Sequence, residues 1–486
     1  MATTLDVVLL FDTEDVFSPP EVGNDDSILE LATILTEEGL RGTFLFIGDR
    51  ALQLRARGRH DVIAAVSAHE VGLHTRSARH PCGPEYVQNR SWEDGLAETL
   101  RREADGVAII REVFGQPARA LSAHYDYATP HAQCAAGALG LPYIYAYAAA
   151  PPRYSLSWYA GALGLPWSSP TLDPATPFLG YFDGFDSLYP DDAAFEAQWR
   201  RLGAHIDACL NGDQPLLSLL LYHPQRVRLA EFIDRYWTAN GVNLPPEQWG
   251  RYGQPARYTA AQVATALANF RRLARRLRAD PRLRPVTVGE VARAYGTQPE
   301  EISRADLLAA SQAIADADEI LLHERYSPAE ILVALAHAVV RYAADGQVPP
   351  AMPRANVLGP TANLIWYPEV GEYAWDALLQ RAGQLLNHVE VTGYLPAMLG
   401  KPGERVGAHH LYGALAHVYL ALNAGGAPTS VPLRPRGRYP RLAEAIGLRY
   451  LRAAEGDLLD PELNVDALYR YGKLQTWTLK AAHHSS

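Results

Sequence analysis

The chain has 486 residues, of which 48% are hydrophobic and 20% are charged, and this composition excludes a disordered polymer. A single hydrophobic core seldom grows beyond about 250–300 residues, so the length predicts two domains. The formal net charge of −10 and the lack of a basic tract argue against nucleic acid or an anionic membrane as a partner.

Cysteine usage and the first residues of the chain exclude further classes. Cys82, Cys134 and Cys209 form no CxxC pair, which argues against a disulfide framework and against a thiolate zinc site. No run of about 20 apolar residues is present, so we expect no membrane span. The chain enters the apolar segment Val7–Phe11 without the basic region and cleavage site of a signal peptide, and we therefore expect a cytoplasmic protein.

Short apolar runs alternate with amphipathic stretches up to residue 296. This alternation predicts parallel strands covered by helices, and about eight repeats of it predict a barrel whose catalytic groups follow the strand ends. The predicted strands are Leu5–Asp12, Thr43–Gly48, Glu70–Thr75, Ala120–His124, Tyr143–Tyr147, Leu165–Ser169, Leu216–His223 and Val286–Val288. The predicted helices include Ser27–Gly39, Trp92–Phe114, Asp192–Leu210 and Ala260–Leu277.

A different pattern begins after the predicted linker Thr297–Arg304. Ser327 and Glu330 mark a capping box with proline at the first helical position, and the pattern downstream is helical. The residues Ala-Leu-Ala-His at 334–337 recur at 414–417. We therefore predict an α/β protein with a distorted (β/α) barrel of seven or eight strands over 1–296, followed over 305–486 by an all-α domain with an internal repeat.

Three predicted strands end in residues that can bind a metal or transfer a proton. The first ends in Phe11–Asp15, where three carboxylates within four positions repel one another unless they share a cation or a proton. The third ends at His74 and is followed by His80, and the seventh ends at His223. Such side chains, meeting at one barrel mouth, suit a metal site with a carboxylate base and a histidine acid beside it.

Four motifs in this order resemble those of the polysaccharide deacetylases, or family-4 carbohydrate esterases, and of their amidohydrolase relatives. Asp12–Asp15 resembles the Asp-Val-Glu-Asp of one branch, and Gly42–Phe46 resembles the Gly-Thr-Phe-Phe strand. His69–His74 resembles His-Glu-Ile-Gly-x-His, and Leu220–Pro224 resembles the late Leu-x-x-His-Pro. The resemblance extends over about residues 5–295 and implies a distorted (β/α) barrel of seven or eight strands.

The resemblance also implies roles for the residues in these motifs. Asp12 corresponds to the general base and His223 to the general acid, while Asp15 and His74 correspond to ligands of a divalent metal, zinc or a similar ion. Glu14 remains an alternative to Asp15, because the alternation of a strand places Asp12 and Glu14 on one face. The implied activity is metal-dependent removal of an acyl group, such as acetyl, from an amino sugar or a related amide or ester.

The spacing of the second metal ligand departs from the family pattern. The family places its second metal histidine four residues after the first, where this chain has Ala78, and the candidate is His80. Six positions along a helix would turn two rings apart, so His74 and His80 converge only if Ser77–Gly83 is a loop. We expect His80 to be the third ligand on that condition.

The residues expected to line the substrate pocket also depart from the family pattern. The arginine of the family's Arg-Ala-Pro motif is replaced by Ser122, and the polar residues His124, Tyr125 and Asp126 follow. We expect these three to contact the substrate, together with Trp158 and Trp167, for which core packing is the competing interpretation. The list of expected substrate contacts is His124, Tyr125, Asp126, Trp158 and Trp167.

Two other functions stay open at this stage. One is a metal-independent small-molecule amidohydrolase of the allantoinase kind, and the other is a non-catalytic carbohydrate-binding protein on a degenerate barrel, which the loss of the family arginine would suit. The second half loosely resembles pseudomurein-binding repeats of cell-wall proteins, which implies glycan recognition. Helical packing or homo-oligomerisation is the competing role for that half. The expected partner is thus a carbohydrate or a small-molecule amide substrate.

Overall fold

The computed structural model describes residues 4–124, 129–145, 156–166, 179–212, 214–250, 253–317, 319–434, 437–440 and 459–484. Its contacts divide the chain into two compact units. The described residues up to 296, except 157–161, belong to the first unit together with 459–468. The second unit holds the other described residues, and the division falls inside the helix Val465–Gln475. The linear domains 1–296 and 305–486 stay a prediction.

A parallel sheet forms the centre of the first unit. Its described strands in the first unit are β1 (Leu5–Thr13), β2 (Thr43–Phe46), β3 (Glu70–His74), β4 (Leu121–Ser122), β5 (Tyr143–Tyr145), β6 (Ala162–Pro166), β7 (Tyr181–Phe182), β8 (Leu216–Tyr222) and β9 (Leu283–Val286). Their order is β6-β5-β4-β3-β2-β1-β8-β7, with β9 beside the first half of β1, and every one of these pairings is parallel. The predicted α/β class is confirmed as a curled half-barrel sheet with helices.

The central strand β1 is buried over its whole length. Both of its faces are covered, which is why its sequence is nearly continuous in apolar residues rather than alternating. Phe11 stacks on Phe44 of β2 with ring centroids 4.5 Å apart and meets the edge of Phe270 at 5.9 Å. This packing fixes the strand immediately before its polar end.

The strand predictions differ from the structure in three main places. The predicted strand Leu165–Ser169 begins three residues earlier, at Ala162. The last strand is Leu283–Val286 rather than Val286–Val288, because Thr287 caps a helix that begins at Val288. The strand Tyr181–Phe182 was not predicted, since two residues are too few to show a periodicity. The ends of the predicted strands Tyr143–Tyr147 and Leu165–Ser169 lie outside the described residues.

Helices flank the sheet of the first unit. The predicted helix Trp92–Phe114 has these bounds in the structure, and the helix Ala260–Ala279 begins with a capping box of Thr259 and Gln262. The helices are Asn24–Glu37, Gly48–Ala56, His60–Ser67, Gly83–Val87, Trp92–Phe114, Pro130–Ala138, Asp192–Asn211, Ala260–Ala279 and Val288–Tyr295. A short hairpin pairs Thr238–Ala239 with Val242–Asn243.

Two copies of a strand–helix–helix–strand element build most of the second unit. The first copy is Glu301–Ser303, Arg304–Asp316, Pro328–Asp345 and Ala351–Pro353, and the second is Glu372–Ala374, Trp375–Thr392, Ala408–Asn423 and Ser430–Pro432. In each copy the two outer strands pair antiparallel. The recurring Ala-Leu-Ala-His lies on the second helix of each copy, so the duplication seen in the sequence has a structural counterpart. The prediction of an all-α domain missed these short strand pairs.

A further strand pair in the second unit joins Ser157–Tyr159 to Lys480–Ala481. The helices of both copies enclose one apolar core. In the part of the chain that the structure describes, every helix is too short or too polar to cross a bilayer.

Glu330 links a helix cap to a buried ion cluster in the second unit. Its Oε2 accepts the Ser327 backbone N–H at 2.7 Å, which confirms the predicted capping box. Its Oε1 accepts hydrogen bonds from Arg354 at 2.9 Å and from Lys480 at 2.6 Å. The side chains of Glu330 and Lys480 are each only 4% exposed. One carboxylate thus compensates two cations.

We predict that Glu330→Gln lowers the free energy of unfolding by about 3 kcal/mol, because it leaves Lys480 and Arg354 without a counter-charge. Urea unfolding followed by circular dichroism measures this. The matched control Glu300→Gln, at an exposed position, should stay within about 0.5 kcal/mol of the wild type. Equal losses in the two variants would contradict the cluster's importance.

Candidate metal and catalytic centre

Side chains that follow four parallel strands meet at the carboxyl end of the sheet. Asp12 and Glu14 come from β1, His74 ends β3, His124 follows β4 and His223 follows β8. The register between β1 and β8 shifts between Leu10 and Phe11, so that Phe11 pairs with Tyr222 and the next residues, Asp12 and His223, come side by side. On the flank of β1 opposite to β8, strands β3 and β4 pair so that His74 lies beside Ser122. We call these five residues, Asp12, Glu14, His74, His124 and His223, the centre.

Glu14 lies between two imidazoles. Its Oε2 is 3.5 Å from Nε2 of His74 and 3.1 Å from Nδ1 of His124. Its Oε1 accepts a hydrogen bond from the Gln225 side chain at 2.9 Å. All four side chains belong to buried residues. Every oxygen of this carboxylate therefore faces a group that favours its ionised form.

The pKa values of the pair follow from these contacts. Burial would raise the pKa of Glu14, but hydrogen bonds from His124 and His74 hold it well below its usual range. Burial would lower the pKa of His124, but hydrogen bonds to Asp234 and Glu14 raise it to about 10. In the metal-free protein, Glu14 is thus a carboxylate and His124 an imidazolium at neutral pH.

The geometry of Glu14, His74 and His124 also fits a divalent cation. Their candidate ligand atoms all lie within 4.8 Å of one another. In a tetrahedral site with ligands at 2.0–2.1 Å, neighbouring ligand atoms are roughly 3.3 Å apart, and the separations of 3.5 Å and 3.1 Å lie on either side of that value. Nδ1 of His74 is 2.6 Å from Oγ of Ser122, an outer contact that leaves Nε2 to face Glu14.

Asp12 stands between His74 and His223. Its Oδ1 is 3.6 Å from Nδ1 of His74, and its Oδ2 is 3.4 Å from Nε2 of His223. The side chain is buried, and among the described residues Oδ1 has no hydrogen-bond partner. A buried carboxylate oxygen without a donor is costly unless a ligand or water uses it. Asp12 is therefore placed to accept a proton from a bound molecule.

Asp186 orients His223. One Asp186 oxygen accepts the His223 backbone N–H at 2.9 Å, and the other is in close contact with Nδ1 of the ring. Burial would lower the pKa of His223, but the negative charge of Asp186 and the contact with Asp12 raise it well above its usual value. The ring is held with Nε2 towards the centre and is protonated at neutral pH, as a general acid requires.

The structure does not add Asp15 to this group of ligands. One oxygen of Asp15 accepts the backbone N–H groups of Phe17 and Ser18, at 3.0 and 2.9 Å, and the other contacts the Asn24 side chain. The carboxylate thus closes the turn after β1. Glu14, the alternative left open by the sequence, takes the position facing the histidines.

His80 also lies in a separate group. Its Nδ1 is 2.7 Å from Glu85, which in turn accepts the backbone N–H of Cys82. Among the described residues, the atoms that could share a cation with His80 belong to Cys82 and Glu85, whereas those that could share one with His74 belong to Glu14 and His124. Residues 75–82 do form the loop that the prediction required, but the structure does not bring His80 together with His74.

The expected substrate contacts have three outcomes. His124 belongs to the centre itself. Trp158 lies in the second unit, on the strand that pairs with Lys480. Tyr125, Asp126 and Trp167 lie outside the described residues.

Three polar residues of the site were missed in the sequence. Asp186 follows the unpredicted strand β7, Gln225 follows His223, and Asp234 lies 3.6 Å from Nε2 of His124. Asp186 had a detectable signal, because it is a carboxylate two positions after Gly184 and follows a short aromatic run, as residues after the other strands do. Gln225 and Asp234 lie in a connection without periodicity.

Comparisons with known proteins give distant likenesses. No family model and no curated protein matches the chain, so the resemblance of the second half to pseudomurein-binding repeats is without support. Among solved structures, a candidate polysaccharide deacetylase from Mycobacterium smegmatis is 13% identical over 60% of this chain and 90% of that one, with a TM-score of 0.36. Puue allantoinase is 11% identical over 60% and 89%, with a TM-score of 0.35. A family 4 carbohydrate esterase from Streptomyces lividans is 14% identical over 57% and 90%, with a TM-score of 0.28.

Metal content separates the two sets of candidate ligands. We predict that the wild type, purified without chelator and reconstituted with zinc, holds a cation that His124→Ala loses, because His124 is one of the three candidate ligands. The control His80→Ala should leave this metal content unchanged. Mass spectrometry of the purified proteins measures it, and loss of metal in His80→Ala with retention in His124→Ala would contradict the assignment.

Cation binding should also release a proton. An imidazole must be neutral to bind a metal, and the pKa of His124 is about 10 in the metal-free protein, so below that pH a bound cation displaces about one proton. Affinity should therefore rise with pH up to that value. Titration calorimetry in two buffers of different ionisation enthalpy counts the protons. Asp234→Asn lowers the pKa of His124, so proton release should begin to fall at a lower pH than in the wild type, and an unchanged pH profile would sink the prediction.

Proposed function

We propose that this protein is a metal-dependent hydrolase that removes an acyl group, such as acetyl, from an amide or ester, with an amino sugar or a related small molecule as substrate. The observation that carries the proposal is the buried Asp12, whose Oδ1 has no hydrogen-bond partner among the described residues and whose neighbours are His74 and His223. Acyl transfer to water needs a proton acceptor and a proton donor in one buried cluster, and Asp12 and His223 are placed to act as these two groups.

Asp12 and His223 divide the proton transfers between them. Asp12 accepts the proton of the attacking water, and His223 donates the proton on Nε2 to the departing nitrogen or oxygen. Asp186 holds Nδ1 of His223 and so fixes which nitrogen faces the substrate. The 3.4 Å between Asp12 and Nε2 of His223 allows the proton to return to the acid after each turnover.

Glu14, His74 and His124 would hold the cation. A divalent cation at this position supplies a Lewis acid that polarises the scissile carbonyl and its attacking water. We keep zinc as the proposed ion, because two imidazoles and one carboxylate form a set typical of catalytic zinc sites with an open position. Ser122, which stands where the family has arginine, supports this set through its 2.6 Å contact with His74.

A metal-independent amidohydrolase is the second candidate, and one observation favours it. Contacts with Asp234 and Glu14 raise the pKa of His124 to about 10, so His124 carries a positive charge at neutral pH without any cation. An imidazolium can polarise a carbonyl by donating a hydrogen bond. Activity in the presence of a strong chelator would favour this candidate, and loss of activity that zinc restores would favour the first.

Substitution of the base and the acid tests the proposal. Asp12→Asn keeps the shape of the side chain but cannot accept the proton, so we expect kcat on an acetylated amino sugar to fall by about 10²–10⁴-fold while metal content is retained. The control His60→Ala, on the surface of the same unit, should not change kcat.

Substitution of His223, the proposed acid, should give a more specific kinetic result. His223→Ala should strongly slow the hydrolysis of an acetamide or an alkyl ester, because their leaving groups need a proton, and should affect 4-nitrophenyl acetate much less, because nitrophenolate leaves without one. Measured kcat values on the two substrates give the ratio. Equal losses on both would remove His223 from the acid role, and full activity of Asp12→Asn would overturn the proposed function.

A further inference from the structure

A cavity of about 230 Å³ lies within the second unit. This volume is below the roughly 300–1,000 Å³ of pockets that hold drug-sized ligands, so a molecule that fills it is small. We call it the cationic cavity, because its described lining residues include two cations and two histidines and no acidic residue. The lining residues that the argument uses are Trp158, Gln298, Arg325, Lys480, His483 and His484.

One strand pair places an aromatic ring and an ammonium group on the same wall of the cationic cavity. Trp158 and Lys480 are direct partners in the antiparallel pair of Ser157–Tyr159 with Lys480–Ala481. Side chains of residues that lie directly opposite each other project to the same face of a sheet. The Lys480 side chain is only 4% exposed, whereas Trp158 is partly exposed. The wall therefore combines a buried charge with an accessible indole.

The Lys480 ammonium has one donor in reserve. Its Nζ donates to Oε1 of Gln298 and to Oε1 of Glu330, both at 2.6 Å. An ammonium carries three N–H groups, and the described residues supply acceptors for two of them. Burial lowers the pKa of Lys480, and the charge of Glu330 opposes this shift. A second anion next to the ammonium would satisfy the third N–H and stabilise the charged form.

The charges around the cationic cavity do not balance. Glu330 is one carboxylate in contact with two cations, Lys480 and Arg354. Arg325 is exposed at the cavity, and among the described residues no carboxylate pairs with it. Three cations against one carboxylate leave an excess of about two positive charges. A phosphate monoester, which carries about −1.5 to −2 at neutral pH, matches this excess better than a carboxylate does.

The donors that line the cationic cavity also suit phosphate oxygens. Because Oε1 of Gln298 accepts the hydrogen bond from Lys480, its amide nitrogen is left to donate. Arg325 offers a planar set of N–H groups that fits phosphate with two parallel hydrogen bonds. His483 is held at the rim by a hydrogen bond from its Nε2 to the backbone carbonyl of Glu324, at 3.0 Å. Trp158 adds an apolar surface for the organic part of a ligand.

We propose that the cationic cavity binds a small phosphate monoester, with the phosphate on Arg325 and Lys480 and a ring of the ligand on Trp158. A sugar ring and an aromatic ring share this chemistry. None of the cavity residues belongs to the centre, so the inference is independent of the proposed function.

Titration calorimetry on the full chain tests the choice of ligand. The probes are phenyl phosphate and glucose 6-phosphate, and the comparison molecules are inorganic phosphate, benzoate, phenol and glucose. At least one of the two esters should bind at least about tenfold more tightly than inorganic phosphate, than benzoate and than its own alcohol, because it alone offers both a dianion and a ring. The tighter ester identifies the ring as aromatic or as a sugar.

Substitutions at the cationic cavity test the site. Arg325→Gln should weaken binding of the ester at least about tenfold, because it removes a charge and the paired donors. The matched control Arg341→Gln, at an exposed position of the same unit outside the cavity, should leave the affinity unchanged.

Trp158→Ala should bring the affinity for the ester close to that for inorganic phosphate, because the ring loses its apolar contact. Trp366→Ala is its matched control, since Trp366 is 66% exposed in the same unit and does not line the cavity. Circular dichroism checks that each variant folds.

Three results would overturn the inference. The first is equal binding of both esters and inorganic phosphate, or binding of benzoate as tight as that of phenyl phosphate. The second is an unchanged affinity for the ester in Arg325→Gln. The third is loss of binding in His124→Ala, which would place the phosphate at the centre, whereas the cationic cavity predicts that this variant binds like the wild type.

Discussion

Charge balance at the end of β1 is the constraint on which the first unit depends. Two buried carboxylates, Asp12 near the end of the buried strand β1 and Glu14 just after it, are tolerated because imidazoles that follow or end three other strands surround them. The balance requires each of these strands in its own register. A slip of one residue in β1 would turn both carboxylates to the opposite face and leave the histidines without partners. The centre therefore stabilises the arrangement of strands that creates it.

The alternation of side chains along β1 explains why Asp15 and Glu14 make different contacts. Glu14 shares a face with Asp12 and meets His74 and His124, whereas Asp15 points away and binds the backbone of the turn that leads to Phe17. Sequence reasoning reached this choice but did not settle it, because the alternation of β1 and the resemblance to a known motif favoured different residues. The geometry agrees with the alternation. A carboxylate next to the centre thus serves to close the turn after β1.

Seven of the nine strands described in the first unit were predicted at or close to their positions, since buried parallel strands appear as apolar runs. The last strand was placed three residues too late, and β7 was missed. The residues that contact Asp12, Glu14 and His74 in the centre were harder to predict. The second histidine was sought near His74 along the chain, while the structure supplies His124 from the adjacent strand, where Ser122 and His124 alternate onto one face. Asp186 escaped detection because β7 has only two residues. Contacts made across a sheet leave a weak trace in local sequence, and a single chain shows where strands end but not which side chains then meet.

The contacts of His124 also bear on how the proposed cation would enter the centre. Without a cation, Asp234 and Glu14 keep a proton on His124, and this proton offsets the buried charge of Glu14. If a divalent cation binds as we propose, that proton would leave and the positive charge at the centre would rise by about one unit, so one positive group would replace another. The carboxylates therefore do not need a metal before the strands pair. On this proposal the fold forms first and acquires its cation afterwards, with an affinity that falls as the pH falls.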